Sequence, residues 1–212
     1  MKRSIAKNGS LLALFALLCT ALVASVNQFT FERIKTQQDL ELMRTLHQII
    51  PDSIHDNALI EHCILIHDEQ VLGVDEPLPA YIATLKGEGV AIAMETVAPD
   101  GYNGKIKIIV AINTLGEVLG VRTLNHNETP GLGDKIDLRK SSWVTAFNQM
   151  SITSAQDKRW AVKKDGGQFD QFTGATITPR AYVGAIKRTL LYFNANKAEL
   201  MNRPANCEVN YE

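Results

Sequence analysis

The sequence has few cysteines and no marked excess of charge of either sign. Three cysteines among 212 residues, none in a CxxC pair, are too few for a disulfide-built scaffold and do not predict a zinc knuckle or a cysteine-ligated cluster. A formal net charge of −1, without a basic stripe, argues against nucleic-acid binding. Hydrophobic residues nevertheless make up 45% of the chain, which is enough apolar material for one core. We therefore expect one globular domain with an appendage.

Charged residues are missing from one long stretch near the N-terminus. Three basic residues within the first seven positions precede an uncharged run over residues 8–30, whose apolar centre is residues 11–26. At helical rise this centre covers about 24 Å, and its flanks extend it toward the ~30 Å hydrocarbon core of a bilayer. The pattern predicts a transmembrane anchor at residues 10–30. The positive-inside bias then places residues 1–9 in the cytoplasm and the rest of the chain outside.

A cleaved signal peptide is the alternative interpretation, because residues 23–25 (VAS) offer small side chains at suitable cleavage positions. The length of the run favours a retained anchor. In both cases the main domain faces an oxidising compartment, where Cys63 and Cys207 can pair, whereas Cys19 would remain a free thiol in the membrane. The sequence leaves the pairing open, because it does not show whether the two Cα atoms come within bonding distance.

The residues after the anchor predict a membrane-proximal helix and a linker over residues 31–79. Residues 36–39 (TQQD) resemble a capping box, and apolar residues then recur at helical spacing until Pro51. A short strand is predicted at residues 64–66. We expect the C-terminal residues 197–212 to form a tail.

The main domain is predicted at residues 80–196 and begins with strands. Segments 81–86, 90–97, 105–112 and 118–124 are joined by tight turns, which indicates an antiparallel sheet. Helices are predicted around residues 142–150 and from residue 178 onward. The fold class is therefore α+β, a single N-terminal transmembrane helix followed by one extracytoplasmic antiparallel-sheet domain.

The last helix has a strong start signal and a regular apolar stripe. Thr178 is the predicted N-cap, with Pro179 at the first helical position. Its buried residues are expected to be Val183, Ile186, Leu190 and Phe193.

Residues 170–176 (DQFTGAT) precede this helix and carry the most specific pattern in the chain. Gly174 and Ala175 are small and leave room for a bulky group beside Thr176. Thr176 stands close to the unpaired N–H groups of the helix start, which favour phosphate. A plain helix-entry loop, in which the threonines cap the backbone, explains the same residues. Thr178 already fills that role, however, which leaves Thr176 without an obvious structural duty.

The DxxTGAT pattern resembles the flavinylation motif that periplasmic FMN transferases recognise, in which the last threonine takes FMN through its phosphate. Three further stretches, 100–104 (DGYNG), 126–134 (HNETPGLGD) and 160–167 (WAVKKDGG), extend the similarity. Over essentially its whole length the chain resembles the G-subunit family of the Rnf (Rsx) electron-transport complexes. It is more distantly similar to the C subunit of the sodium-pumping NADH:quinone reductase.

The resemblance implies FMN as a covalent cofactor on Thr176. It also implies flavin contacts from the motif and from the loop 128–132, whose proline and glycines cannot continue a strand. Lys163 is a candidate for neutralising the phosphate, although a solvated basic pair with Lys164 explains it equally well. The implied cofactor-binding residues are Thr176, Thr173, Gly174, Ala175, Glu128, Thr129, Gly131, Leu132 and Lys163.

The function that the resemblance implies is electron relay within a membrane-bound, ion-translocating oxidoreductase complex. The implied partners are other membrane, iron–sulfur and flavin subunits, with a periplasmic FMN transferase for maturation. The implied location is the bacterial inner membrane, with a single span and the main domain on the periplasmic side. A flavin-dependent reductase of a small substrate and a cofactor-free scaffold are the alternatives.

No catalytic acid–base pair or metal site is predicted. His126 has no other histidine near it in sequence, and His62 and His67 stand five apart in a predicted strand region.

Overall fold

A computed structural model of the protein describes residues 2–207. The chain divides after Leu42 into two compact units. The described residues of the first unit, 2–42, belong to helix α1 (Lys2–Ile49), and the second unit holds the end of that helix together with a sheet and a long C-terminal helix.

Helix α1 has an apolar window with a mean hydropathy of 2.3 whose residues are not buried. Among the described residues it is the one helix long and apolar enough to cross a membrane. Such exposure of leucine and phenylalanine is unfavourable in water and is what lipid or a partner surface accommodates.

The expectation of a separate helix beginning near Thr36 is wrong, because α1 continues through this point. The stretch from residue 10 to 50 contains neither glycine nor proline. The Thr36 hydroxyl donates to the Glu32 carbonyl at 2.9 Å, one turn back, so it does not cap a new helix. Pro51 follows the end of α1, as predicted.

The sheet is a five-stranded antiparallel meander with its strands in chain order. The predicted alternation in residues 105–112 is confirmed, since the even-numbered residues of β4 from Ile106 to Ile112 all lie in the main core. The strands are β1 (Cys63–Ile66), β2 (Leu78–Leu85), β3 (Glu88–Gly101), β4 (Gly104–Asn113) and β5 (Val118–Asn125).

The short strand predicted at residues 64–66 is confirmed as β1, and it joins the four strands predicted after residue 80 in one sheet. β1 and the first residues of β2 precede position 80, and they pair in register from Cys63 opposite Tyr81 to Ile66 opposite Leu78. The helix predicted around residues 142–150 is a 3₁₀ segment, Ser142–Phe147. A short helix α2 (Glu69–Leu72) joins β1 to β2.

Helix α3 (Ile177–Asn202) packs on one face of the sheet and encloses the main core with it. The predicted apolar stripe is confirmed, because all four of its residues are at most 1% exposed. The helix runs past the predicted boundary at residue 196. The residues of the stripe are Val183, Ile186, Leu190 and Phe193.

The last turn of α1 covers the opposite face of the sheet. Leu46, Ile49 and Ile50 are buried there. A Cβ at Gly120 would lie 2.9 Å from Cγ2 of Ile49, so the close approach at β5 requires a glycine. This cover explains why Ile109, on the other side of β4, is also fully buried.

The C-terminal segment 203–207 closes the sheet at its β1 edge. The Asn206 N–H donates to the Cys63 carbonyl at 3.0 Å, and the Leu65 N–H donates to Oδ1 of Asn206 at 2.7 Å. Cys63 and Cys207 form a disulfide with a Cα–Cα distance of 5.4 Å, so the pairing that the sequence left open does occur. These bonds satisfy an edge strand that would otherwise be free to pair with another chain.

Candidate functional site

A cleft of about 230 Å³ opens where α3 begins. It brings together the DQFTGAT segment, the loop after β5 and the β3–β4 turn, which are far apart in sequence. Six of the predicted cofactor residues line it, namely Glu128, Thr129, Leu132, Gly174, Ala175 and Thr176. Its volume is below the ~300–1,000 Å³ of sites that enclose a small molecule, so a ligand as large as a flavin nucleotide would extend beyond it.

Thr176 occupies the N-cap position of α3, and its side chain makes no capping hydrogen bond. The Arg180 N–H donates to the Thr176 carbonyl at 3.3 Å, which closes the first helical turn. Ile177 and Thr178 then present the first N–H groups of a 26-residue helix, and Pro179 has no N–H. The Thr176 hydroxyl therefore stands on the wall of the cleft, beside open backbone donors and without a capping role.

The assignment of Thr178 as N-cap is wrong. Thr178 is fully buried within the first turn of α3, and its hydroxyl donates to Oε2 of Glu128. The helix begins two residues earlier than predicted because Pro179 is accommodated in the first turn, where a proline loses no helical hydrogen bond. The argument that Thr178 caps the helix in place of Thr176 therefore fails; what the structure shows is that Thr176 is the N-cap residue and that its hydroxyl makes no capping hydrogen bond.

Glu128 is a buried carboxylate, 4% exposed, that joins the three segments of the cleft. Its Oε1 accepts from the Asn103 N–H at 3.1 Å, and its Oε2 accepts from Thr178. Two glycines make room for it. A Cβ at Gly101 would lie 2.9 Å from Oε1, and a Cβ at Gly133 would lie 2.7 Å from Oε2.

The loop after β5 is stabilised by hydrogen bonds between its own residues. The Thr129 carbonyl accepts from the N–H groups of Leu132 and Gly133 at 3.1 and 3.0 Å. Oδ1 of Asp134 accepts from the Gly131 N–H at 2.8 Å, and Gly131 has a φ of +78° that favours glycine. The predicted irregular loop is therefore a tight turn that presents Thr129 and Leu132 to the cleft.

His126 stabilises this loop through a hydrogen bond to its backbone. Its Nδ1 accepts from the N–H of Glu128 at 3.1 Å, so the ring helps to orient the buried carboxylate. It is not among the residues that line the cleft.

Three predicted contacts lie outside the cleft lining: Thr173, Gly131 and Lys163. Thr173 and Gly131 are exposed. Lys163 pairs with Asp170, the first residue of the motif, with Nζ 2.6 Å from Oδ1. In this arrangement its charge is paired with the first residue of the motif.

A second ion pair links the 3₁₀ segment Lys163–Asp165 to the first turn of α3. Arg180, in the first turn of α3, donates to both carboxylate oxygens of Asp165 at 2.6 and 2.8 Å. This guanidinium holds the pKa of the exposed Asp165 below its ordinary value.

The cleft also contains residues that were not among the predicted cofactor contacts, although Tyr102 and Gly133 lie in the stretches 100–104 and 126–134 that carry the resemblance. Tyr102 lies on the turn between β3 and β4, is 67% exposed and lines the cleft together with Gly133 and Ile177. The sequence signal that could have identified it is an aromatic residue within a predicted turn, DGYNG, where a packing role is not expected. A flat ring at the cleft mouth is suited to contact another flat ring.

Residues 101–191 match the family model of the FMN-binding domain, and residues 1–49 match that of the RnfG N-terminal region. The G subunit of the ion-translocating oxidoreductase complex of Shewanella loihica is 84% identical over the whole of both chains. The chain belongs to this G-subunit family. The corresponding G subunit of Vibrio cholerae serotype O1 is 52% identical over 98% of this chain and 99% of its own length.

An FMN-binding domain thus contains the whole cleft, from Gly101 to the first turns of α3. The residues present fit the phosphate end of FMN. The start of α3 supplies backbone donors, and an ideal Cβ on Gly174 would touch nothing closer than 4.0 Å, so the cleft is open beside this glycine. As a G-subunit family member with one candidate membrane-spanning helix, the chain is a membrane-complex subunit.

Proposed function

We propose that the chain carries FMN on Thr176 through a phosphoester bond and relays electrons within an ion-translocating oxidoreductase complex. The observation that supports this most directly is the Thr176 hydroxyl. It occupies the N-cap position of a long helix without capping it, on the wall of a cleft inside an FMN-binding domain.

The surroundings of Thr176 favour a bound phosphate. The N–H groups of Ile177 and Thr178 are at the positive end of the α3 dipole, where a phosphate is stabilised without a dedicated cation. The positive φ of Gly174, +78°, turns the chain just before the helix, and only the small side chain of Ala175 lies between this glycine and Thr176 in sequence.

The rest of the cleft would hold the remainder of the cofactor. FMN supplies the redox chemistry when bound, and the protein supplies position and electrostatic tuning. Glu128 and the backbone of the Thr129–Leu132 turn offer acceptors and donors, and Tyr102 offers an aromatic face. Attachment at the phosphate leaves the flavin ring itself unmodified and prevents loss of the cofactor.

The anchor determines how the chain would work in a complex. One candidate span cannot by itself form an ion path, so the ion path would lie in partner subunits with several membrane helices. We place the FMN-binding domain on the periplasmic side from the basic residues that precede the apolar run. A periplasmic FMN transferase would then attach the cofactor to the DQFTGAT motif.

Intact-mass measurement of the full-length protein, co-expressed with a flavin transferase, tests the attachment. We expect a mass gain equal to FMN minus water in the wild type and none in Thr176→Val. Thr145→Val, at an exposed position on the Ser142–Phe147 segment, is the matched control and should keep the gain. A flavin that persists in Thr176→Val would contradict the proposal.

Electron relay is tested separately by co-purification. Wild type solubilised from membranes should carry other membrane subunits with it, and its flavin should be reduced when the complex is supplied with electrons. Reduction by a small substrate in the isolated subunit would instead support a reductase.

A further inference from the structure

We infer that His47, Asp52 and His55 form a binding site for a divalent transition-metal ion, with Zn²⁺ as the best match. The expectation of no metal site rests on His62, His67 and His126 and overlooks this cluster. His47 lies in the last turn of α1, Asp52 begins a short 3₁₀ segment (Asp52–Ile54) after Pro51, and His55 directly follows that segment.

The three ligand atoms are already close together. One atom from each residue lies within 4.8 Å of the other two. Nδ1 of His47 is 2.5 Å from Oδ1 of Asp52, and Nε2 of His55 is 3.7 Å from the same oxygen. Two ligands at ~2.1 Å from a tetrahedral ion lie about 3.4 Å apart, so modest side-chain rotation would admit Zn²⁺.

His55 is the decisive residue. Its side chain is 6% exposed, yet its Nε2 has no hydrogen-bond partner among residues 2–207. A buried imidazole nitrogen without a partner is unusual, because desolvation of a polar atom is unfavourable unless something replaces the water. A metal ion at this position would satisfy it.

The other ring nitrogen of His55 determines its tautomer. Nδ1 lies 3.0 Å from the Asn57 carbonyl, which can only accept, so Nδ1 carries the proton. The lone pair that a metal ion requires is then on Nε2, the atom that lies 3.7 Å from Oδ1 of Asp52. Histidines that bind metals commonly donate their other ring N–H to a backbone carbonyl in this way.

The support behind His55 is rigid. The Asn57 side chain donates to the Ile82 carbonyl at 2.9 Å and accepts from the Thr84 N–H at 2.8 Å, which attaches the segment to β2. The ligand set of two imidazoles and one carboxylate suits Zn²⁺, and water would fill the fourth position. The ion would fasten the last turn of α1 to the segment that follows it.

Zn²⁺ titration by calorimetry of the full-length, tag-free, chelator-treated protein in detergent tests the site. We expect one Zn²⁺ per chain in the wild type. His55→Gln and Asp52→Asn should each weaken binding by at least the ~10–100-fold seen when only a hydrogen-bond partner of a ligand is lost. His67→Gln is the matched control, since His67 is exposed, pairs with Asp75 at 3.1 Å and should leave binding unchanged.

Two further readouts keep the test decisive. Asp52 is exposed, so Asp52→Asn will report on the site even if the buried His55 variant fails to fold. Zn²⁺ should raise the Tm of the wild type and of His67→Gln but not of Asp52→Asn. The inference is overturned by the absence of saturable Zn²⁺ binding, or by binding that His67→Gln weakens as much as Asp52→Asn.

Discussion

At its first turn α3 faces a cleft with open backbone donors, whereas its last turn leads into a segment that is bonded along β1. Thr176 at the first end has no capping hydrogen bond. At the other end, Asn206 and Cys207 both donate to the Cys63 carbonyl, and a disulfide joins Cys63 to Cys207. The two regions differ in where their hydrogen bonds go: those of the segment after α3 satisfy the β1 edge, whereas we propose that the donors at the start of α3 bind the FMN phosphate.

Breaking the disulfide should have the largest effect on the free energy of unfolding and little effect on flavin attachment. Cys207→Ser opens a link across 144 residues, and losses of about 2–5 kcal/mol are typical for native disulfides. We expect this loss in denaturant unfolding of the full-length protein in detergent, with flavin attachment retained. Cys19→Ser, which removes the free thiol of α1, is the control and should change neither quantity. Loss of flavin in Cys207→Ser would show that the two ends are coupled.

Removing the Glu128 side chain should disturb the cleft at the start of α3. Glu128→Ala leaves the Asn103 N–H and the Thr178 hydroxyl without their acceptor, and we expect a cost of about 1–3 kcal/mol. Flavin attachment should also fall in intact-mass measurements.

Glu128→Gln is the matched variant for this position, because its amide can still pair with both groups. We expect it to recover most of the stability. If it is as unstable as Glu128→Ala, the negative charge and not the hydrogen bonding supports the cleft.

Substitution of two glycines, one in the cleft and one within α3, should change stability in opposite directions. Gly174 has a φ of +78°, and an added Cβ would meet no close neighbour, so Gly174→Ala should cost about 1–2 kcal/mol through backbone strain alone. Gly184→Ala lies within α3, where alanine is favoured over glycine by ~1 kcal/mol, and should stabilise the protein. Thermal unfolding of the two variants should therefore move in opposite directions.

Glu95 lies on β3, away from both ends of α3, and we expect its substitution to have the smallest effect on stability. Burial raises its pKa above the ordinary value of 4.5, although the Lys107 ammonium 2.6 Å away opposes this shift. Between these two pKa values the Glu95 carboxyl is protonated in the folded state and ionised in the unfolded state. The free energy of unfolding therefore falls as pH rises from about 4.5 through the raised pKa.

Glu95→Gln should remove this fall. Its Tm should match the wild type near pH 4.5 and exceed it slightly near pH 8, with exposed Glu88→Gln as control. A constant Tm difference across this pH range would contradict the assignment.

The contrast between the ends of α3 also shows how far sequence reasoning reaches. The apolar stripe of α3 and the alternation in β4 were predictable because burial on one face imposes a period of 3.6 or 2 residues. The motif around Thr176 was identified by its resemblance to the flavinylation motif and not from composition or periodicity, which a plain helix-entry loop explains equally well. The start of α3 was misplaced because Thr176 and Thr178 are both acceptable caps, and only Glu128, 50 residues away, occupies the second hydroxyl.

Other features depended on contacts that no local pattern encodes. The continuity of α1 past Thr36 overrode a capping signal, because Ser and Thr hydroxyls can bond back within a helix. Lys163 was a candidate phosphate partner by charge alone, and its pairing with Asp170 is a tertiary contact. The His47–Asp52–His55 cluster arises where a chain reversal after Pro51 returns His55 to the end of α1.

The most direct test of the account is peptide mapping of native, fully denatured protein by tandem mass spectrometry. We predict that FMN is found on a single peptide that contains residues 170–176, bonded through phosphate to Thr176. A colourless protein after denaturing removal of loosely bound ligands, or flavin on any other residue, would contradict it.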